Sequence, residues 1–328
     1  MRDSVSSKVD LRTMASLLLF VPSLALAQGN FPTRPIRIIT PFAPGGSTSV
    51  IARVIGQKLT ERWGQQIIVD NRPGGNTIIG ADTLAKANPD GYFYILTTNT
   101  HVINPSLFPR LPYDPIKDFA PVGMVYGSEF VLVINPGLPT NNLQELIALA
   151  SAKPGQLNYA TTGAGGSSHL ANVLLGMLTG VQIQHIPYKG AGPALVDVIG
   201  GQVQMFMNNP LTVIGPTKSG RVRGIAVTGA ARVPALPQVP TFAEGGVPGV
   251  DVSPWFCLLA PAGTPKAIIQ KVSVEVGKVM ALPDVLDYLA KQGMNPDTST
   301  PEQLDARMKA DMARWAKVIR AANIKIDI

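Results

Sequence analysis

Residues 36–59 read IRIITPFAPGGSTSVIARVIGQKL, and this stretch decides the fold class of the chain. Its first five residues are mostly apolar and β-branched, which favours a short strand. From Thr48 onward the apolar residues recur at helical spacing, which predicts a helix over residues 48–63. Gly45 and Gly46 lie between the two elements. The stretch therefore predicts a strand–turn–helix unit of an α/β protein.

The same alternation of short apolar runs and helical periods continues along the chain. Further strands are predicted at residues 67–69, 94–97, 130–134, 158–160, 184–186, 203–207, 223–227 and 255–260. Further helices are predicted at residues 77–87, 142–152, 168–179, 265–280 and 283–292, with a last one from Pro301, which Thr300 and Gln303 would cap. This rhythm predicts mostly parallel sheets flanked by helices. At 328 residues the chain exceeds the size at which one core usually divides, so we expect two domains.

Two glycine turns are placed alike in the two halves of the chain. Residues 44–49, PGGSTS, and residues 163–169, GAGGSSH, each follow a predicted strand and open a helix. A helix N-terminus offers unpaired N–H groups and a partial positive charge, and glycine lets a ligand approach the backbone. No acidic residue occurs in residues 41–52 or 157–176. Both turns therefore predict a cradle for a carboxylate or phosphate, with simple helix capping as the alternative.

Polar residues follow other predicted strands, at residues 97–101, 188–190 and 208–209. Ligands of open parallel sheets lie beyond the carboxyl ends of the strands, although turn formation or capping is the alternative role for each residue. The candidate ligand-binding residues are Phe42, Pro44, Gly45, Gly46, Ser47, Thr48, Ser49, Thr98, Asn99, His101, Gly165, Gly166, Ser167, Ser168, His169, Tyr188, Lys189, Asn208 and Trp255.

Composition and motifs argue against several other functions. The formal charge of +7 comes from 28 Lys+Arg against 21 Asp+Glu, scattered without a basic run, which disfavours nucleic-acid binding. Three separated histidines and one cysteine offer no metal-ligand spacing, so neither a metal nor a cofactor is expected. No G-x-S-x-G motif occurs, and Cys257 lies in an apolar run typical of a core. We therefore expect no catalytic residues.

The N-terminus has the layout of a secretory signal peptide. Basic residues precede an apolar run at residues 14–24, and Ala25-Leu26-Ala27 follows it. The apolar run is shorter than the ~20 residues that a membrane span needs. Cleavage after a signal peptide of residues 1–27 would leave Gln28 first, and no cysteine stands there to carry a lipid anchor. The sequence thus predicts a soluble periplasmic protein.

Several ordered motifs make the chain similar to a known family. They are residues 41–46 (PFAPGG), 69–75 (VDNRPGG), 87–92 (ANPDGY), 111–115 (LPYDP), 155–160 (GQLNYA), 185–190 (HIPYKG) and 260–265 (APAGTP). Through them the chain resembles the Bug/TctC family, the substrate-binding receptors of tripartite tricarboxylate transporters. The resemblance covers essentially the whole chain after the signal peptide.

The resemblance implies a periplasmic binding protein with a two-domain Venus-flytrap fold. Its first domain would comprise residues 28–127 plus 253–328 and its second residues 128–252, with hinges near Gly127 and Val252. A ligand carboxylate would lie between the two glycine turns. The implied partner is a membrane transporter of the tripartite tricarboxylate type, and the receptor is expected to be a monomer.

One departure from the family pattern bears on the ligand. Family members usually carry Asp where this chain has Ser49, and often Asp where it has Asn208. Losing two negative charges disfavours a ligand with an ammonium group, so we expect a non-amino dicarboxylate, aliphatic or aromatic. Two alternatives stay open: a receptor of the same shape that serves a sensor kinase, and an exported hydrolase.

Overall fold

The computed structural model describes residues 31–321 and residue 324, so the predicted signal peptide lies outside the described residues. The strands are β1 Ile36–Thr40, β2 Ile67–Asn71, β3 Phe93–Thr98, β4 Phe119–Gly127, β5 Val131–Ile134, β6 Asn158–Thr161, β7 Gln184–Pro187, β8 Met205–Asn208, β9 Arg223–Val227, β10 Trp255–Pro261 and β11 Asn295–Pro296. The helices are α1 Ser47–Trp63, α2 Ile78–Ala85, α3 Thr100–Leu107, α4 Leu143–Ala152, α5 Ser167–Thr179, α6 Ala191–Ile199, α7 Pro210–Lys218, α8 Lys266–Met280, α9 Pro283–Lys291 and α10 Pro301–Ala321.

The strands form two sheets of nearly the same topology. The first sheet has the order β11-β4-β10-β3-β1-β2, and the second has the order β9-β5-β8-β6-β7. Apart from β11, each strand of the first sheet has an equivalent in the second, and helices flank both. The echo between the two glycine turns therefore reflects two copies of one α/β unit, one in each domain, and the predicted α/β two-domain fold is confirmed.

The sheets are mixed, which corrects the expectation of mostly parallel sheets. β1 pairs in parallel with β2 and β3, and β6 pairs in parallel with β7 and β8. In contrast, β10 runs antiparallel to β3 and β4, and β5 runs antiparallel to β8 and β9. Each reversed strand comes directly after a strand of the other sheet: β5 follows β4, and β10 follows β9. The chain enters each sheet from the neighbouring domain, and this crossing sets the reversed direction.

Several elements with an internal proline were not predicted from the sequence. Helices α3 and α7 carry internal prolines, Pro105 and Pro216, and strand β4 contains Pro121.

The start of α10 agrees with the sequence prediction. Thr300 N donates to Gln303 Oε1 at 2.9 Å, and Gln303 N donates to Thr300 Oγ1 at 3.2 Å, which confirms the predicted capping box.

One hydrophobic core cluster joins the two domains. Trp315 and Ile319 of α10 and Ile103 of α3 belong to the same buried cluster as Leu132 of β5 and Phe242. The C-terminal helix α10 therefore shares one buried core with elements of both domains. None of the described helices combines the length and the apolar composition that a membrane span requires.

Candidate ligand-binding site

A cavity lies between the two domains, at the ends of strands β3, β6 and β8. Its lining residues come from both domains: Phe42, Gly46, Ser47, Thr48, Thr98, Thr100, Phe130, Thr162, Ser167, Ala191, Asn208, Asn209, Pro254 and Phe256. This interdomain cavity is where the strand-end rule for α/β sheets places a ligand.

Five helices begin at the interdomain cavity in the described part of the chain. Ser47, Thr100, Ser167, Ala191 and Asn209 line it from the first residue or the cap of α1, α3, α5, α6 and α7. None of these helices has an acidic residue in its first turn, and none of their cap residues makes a side-chain capping bond. Among the five described helices that contribute no lining residue, α4, α9 and α10 have an acid in the first turn, whereas α2 and α8 have none. The partial positive charges of five helix ends thus converge on one space.

The lining combines neutral hydrogen-bonding groups with an apolar wall. Among the residues that the structure describes, its polar members are Ser, Thr and Asn side chains, without an Asp, Glu, Lys, Arg or His. Phe42, Phe130 and Phe256 supply aromatic rings from both domains. An anion in this space would meet N–H and O–H donors without a carboxylate nearby, and the rings would suit an apolar ligand body.

The two asparagines on the second-domain side are oriented by hydrogen bonds. Ser47 Oγ donates to Asn209 Oδ1 across the domains at 2.8 Å, and Asn209 N donates to Asn208 Oδ1 at 2.9 Å. Both carboxamide oxygens are therefore engaged. The NH2 groups of the two amides remain as donors, which again favours an anionic ligand over a cationic one.

The second glycine turn is supported from behind by two stacked imidazoles. Gly165 N donates to His169 Nδ1 at 2.9 Å, and the His169 ring stacks on His185 with centroids 4.0 Å apart. His185 Nε2 lies 2.6 Å from Thr161 Oγ1, and Gly163 N donates to the same hydroxyl oxygen at 3.3 Å. Burial, helped by the charge of His185, lowers the pKa of His169 to about 3, so His169 is neutral and its Nδ1 stays free to accept. His169 and Gly165 thus shape the turn without lining the cavity.

Part of the predicted site does line the cavity. The predicted residues found in the lining are Phe42, Gly46, Ser47, Thr48, Thr98, Ser167 and Asn208. Most of them come from the two glycine turns, which the sequence predicts as a cradle for an anion.

His101 and Trp255 lie in the core of the first domain and do not line the cavity. His101 Nε2 lies 2.9 Å from the carbonyl oxygen of Pro115, and Trp255 Nε1 donates to Asp311 Oδ2 at 2.5 Å. Successive side chains of a strand point to opposite faces, so Phe256 reaches the cavity and Trp255 faces away from it.

Ser49, Asn99 and Ser168 are buried but absent from the lining. Ser49 Oγ accepts a hydrogen bond from Asn71 Nδ2 at 2.6 Å, which ties α1 to the end of β2. Of the two positions where the family often carries Asp, only Asn208 lies at the cavity wall. The charge argument for the ligand therefore rests on Asn208 and on the absence of acids from the lining.

The remaining predicted residues lie beside the cavity, in or near the contact between the domains: Pro44, Gly45, Gly166, Tyr188 and Lys189. The backbone N–H of Ala43 donates to the carbonyl oxygen of Lys189 at 2.8 Å. The hydroxyl of Tyr188 donates to Asp197 Oδ2 at 2.6 Å within the second domain. The geometry therefore gives these residues contacts between or within the domains.

Some lining residues were missing from the sequence prediction: Thr100, Phe130, Thr162, Ala191, Asn209, Pro254 and Phe256. Thr100 and Asn209 belong to the predicted polar strand ends, but the helices that they open, α3 and α7, were not predicted, so the sequence did not mark them as helix starts. Phe130 and Phe256 lie at the starts of the reversed strands, where an apolar residue carries no local sign of ligand contact.

Comparison with known proteins then gives the family. The family described as "Tripartite tricarboxylate transporter family receptor" (TctC) matches residues 51–324. The chain belongs to this family. Protein BugT of Bordetella pertussis is 37% identical to this TctC receptor over 321 residues, which cover 96% of this chain and 98% of BugT.

Two solved structures extend the comparison. A Rhodopseudomonas palustris protein described as "R. palustris Rpa4515 with adipate" superposes with a TM-score of 0.87 at 34% identity, covering 90% of this chain and 99% of that one. "MatC (Rpa3494) from Rhodopseudomonas palustris with bound malate" gives a TM-score of 0.84 at 31% identity, covering 88% and 100%. Both agree with the fold of this TctC receptor, and the resemblance inferred from its motifs is confirmed.

Proposed function

We propose that this TctC receptor is an exported solute-binding protein that captures a small carboxylate in the interdomain cavity. The observation that carries the proposal is the meeting of five acid-free helix N-termini, whose cap residues make no side-chain capping bond, around that cavity. Such N-termini bind carboxylates and phosphates through backbone N–H groups and the helix dipole. The names of two relatives, one with adipate and one with malate, support a carboxylate.

The favoured ligand is a dicarboxylate without an amino group, aliphatic or aromatic. A buried ammonium group is best held by a carboxylate, but the described lining has no acid, and the carboxamide oxygens of Asn208 and Asn209 each already accept one hydrogen bond. Leaving a buried ammonium unpaired costs binding free energy. The rings of Phe130 and Phe256 provide apolar surface for the body of the ligand.

The binding event in this proposal is domain closure about hinges near Gly127 and Val252. The first domain would comprise residues 28–127 and 253–328, and the second residues 128–252. Two crossing segments run side by side at this place, where Ser128 N donates to the carbonyl oxygen of Pro254 at 2.9 Å. Closure brings the donors of both domains onto one ligand.

The proposed role is delivery, without chemical change of the ligand, to a tripartite tricarboxylate-type transporter. The receptor would act in the periplasm after its signal peptide is removed. The family description, which names a transporter receptor, supports this role. The neutral, acid-free lining also lacks the paired acid and base that hydrolysis uses.

A thermal-shift screen of the protein spanning residues 28–328 tests the ligand class. Succinate, malate, adipate and phthalate are compared with citrate, acetate, aspartate and glutamate. A ligand that binds only the folded state stabilises it by about 2.7 kcal/mol at a hundredfold excess over Kd. We expect a clear rise in Tm with at least one simple dicarboxylate and little change with aspartate or glutamate.

Ligand carried through purification is removed first by unfolding and refolding, and the released material is analysed by mass spectrometry. Tight binding of aspartate or glutamate without a response to simple dicarboxylates would contradict the dicarboxylate assignment. No response to any acid, from protein freed of bound material, would contradict the carboxylate proposal as a whole.

A further inference from the structure

The loop before α1 packs directly on the start of α6 in the other domain. The carbonyl oxygen of Lys189 accepts the hydrogen bond from Ala43 N, and the next residues of the second domain include Gly190 and Gly192. A Cβ on Gly192 would lie 2.5 Å from the carbonyl oxygen of Pro44. A Cβ on Gly190 would lie 2.7 Å from Ala43 N. The two backbones therefore touch where side chains are missing.

The two glycines are needed for different reasons. Gly190 has a φ of 153°, a conformation that residues with side chains rarely adopt, so its own turn requires glycine. Gly192 lies inside α6 with no such backbone constraint, where alanine is the better helix former by roughly 1 kcal/mol. The atoms nearest to a Cβ at this position belong to Pro44 and Gly45 of the first domain. Glycine at position 192 is therefore explained by the contact with the other domain and not by its own helix.

This contact adjoins the ligand cavity. Gly46 and Ala191, which follow Gly45 and precede Gly192, both line the cavity. A Cβ on Gly46 would lie 3.5 Å from the Cβ of Ala191. The separation of the domains at Gly192 thus also sets the distance between the N-termini of α1 and α6, which face the same ligand space.

We propose that Gly192 is the positioning residue that permits full domain closure, because its missing side chain makes room for the backbone of Pro44. Any Cβ at position 192 holds the two domains apart and leaves the donors of α6 too far from a ligand on α1. The effect on ligand retention rests on the proposed function, but the effect on closure itself does not.

A disulfide that can form only in the closed state measures closure without any ligand. The Cβ atoms of the pair Gly46→Cys and Ala191→Cys would lie at a separation suited to a disulfide, and the native Cys257 is buried and unreactive because burial raises its pKa. Oxidised glutathione is added, and the cross-linked fraction is followed by peptide mapping. We expect Gly192→Ala to slow cross-linking at least about tenfold, because closely packed backbones do not move apart easily to admit a Cβ that overlaps the carbonyl oxygen of Pro44.

Gly215→Ala is the matched control. Gly215 also lies inside a helix of the second domain, α7, and a Cβ there would meet no atom within 4 Å. The cysteine-pair protein that also carries Gly215→Ala should cross-link at the same rate as the protein with the cysteine pair alone. Equal cross-linking rates in the Gly192→Ala and Gly215→Ala proteins would overturn the proposal. Far-UV circular dichroism and thermal unfolding confirm that both proteins fold, and Gly192→Ser gives a second test of the same overlap.

Ligand binding is measured in the same proteins without the cysteine pair. With the dicarboxylate found in the screen, wild type and Gly215→Ala should contract in small-angle scattering, whereas Gly192→Ala should contract less and release the ligand at least about tenfold faster. Equal contraction and release in Gly192→Ala would overturn the proposal while the carboxylate function stands. If wild type binds no acid, the proposed function fails, and the cross-linking rates still decide the role of Gly192.

Discussion

At the scale of single residues, His169 shows how a side chain outside the cavity can control binding. Its Nδ1 accepts from Gly165 N, and its ring stacks on His185. We expect His169→Ala to weaken carboxylate binding by about tenfold, because an unpaired buried N–H and a cavity, each costing about 1 kcal/mol or more, loosen the second glycine turn. Isothermal titration calorimetry with the dicarboxylate found in the screen measures this loss.

The conservative variant separates positioning from general packing. Asn Oδ1 can take the place of the imidazole Nδ1 as acceptor for Gly165 N, so His169→Asn should recover much of the affinity while it still loses the stacked ring. Equal affinity losses in His169→Ala and His169→Asn would show that the acceptor is not what positions the turn.

Single residues were predictable where the backbone carried the chemistry. Gly46, Ser47 and Ser167 could be predicted because glycine and hydroxyl residues at a helix start have a physical meaning in any sequence. Trp255 was predicted as a site residue and Phe256 was not, although Phe256 lines the cavity, since which face of β10 meets the cavity depends on how two domains assemble. No local pattern contains that information.

At the scale of secondary-structure elements, the five helix N-termini make a prediction about charge. Asn209→Asp places a carboxylate of nearly the same shape at the cap of α7, inside the cavity lining. Two like charges about 4 Å apart repel by roughly 4 kcal/mol at an effective dielectric constant of 20, so affinity for a dicarboxylate should fall by well over tenfold. Titration calorimetry at pH 8 measures the loss.

Asn142→Asp controls for the change in net charge. Asn142 caps α4 with an exposed side chain, and α4 contributes no residue to the cavity. Asn142 Nδ2 donates to Glu145 Oε1 at 2.7 Å, so the new carboxylate also weakens the start of α4, and thermal unfolding must confirm that this variant folds. The substitution should leave Kd within about twofold of wild type, because exposed charges beyond about 10 Å are screened at ordinary ionic strength. A similar loss of affinity in both variants would mean that overall charge, and not the helix N-terminus, governs binding.

The helices and strands that could be predicted are those whose sequence patterns involve only neighbouring residues. The α10 capping box and the long amphipathic helices follow from neighbouring residues alone. Helices α3, α6 and α7 are short and contain proline or glycine, so tertiary packing overrides their weak propensity. The reversed direction of β5 and β10 depends on the chain crossing between sheets, which periodicity does not encode.

At the scale of the whole molecule, the three histidines predict how stability depends on pH. Burial lowers the pKa of His101 to about 4, of His169 to about 3 and of His185 to about 4. The unfolded chain takes up protons at these groups below pH about 6.5, whereas the folded protein does so only near pH 4, so unfolding binds protons in between. The free energy of unfolding should therefore fall as the pH drops from 7 to 5, with a limiting slope of about 1.4 kcal/mol per pH unit for each fully buried imidazole and less for the partly exposed His185. Urea unfolding at pH 7, 6 and 5 measures the slope, and carboxylates contribute little in this window because their ordinary pKa values lie near 4.

The variant His101→Gln should make the slope shallower, since it removes the titrating group that is deepest in the core. A free energy of unfolding that does not change with pH in the wild-type protein would mean that the histidines are accessible to protons in the folded state.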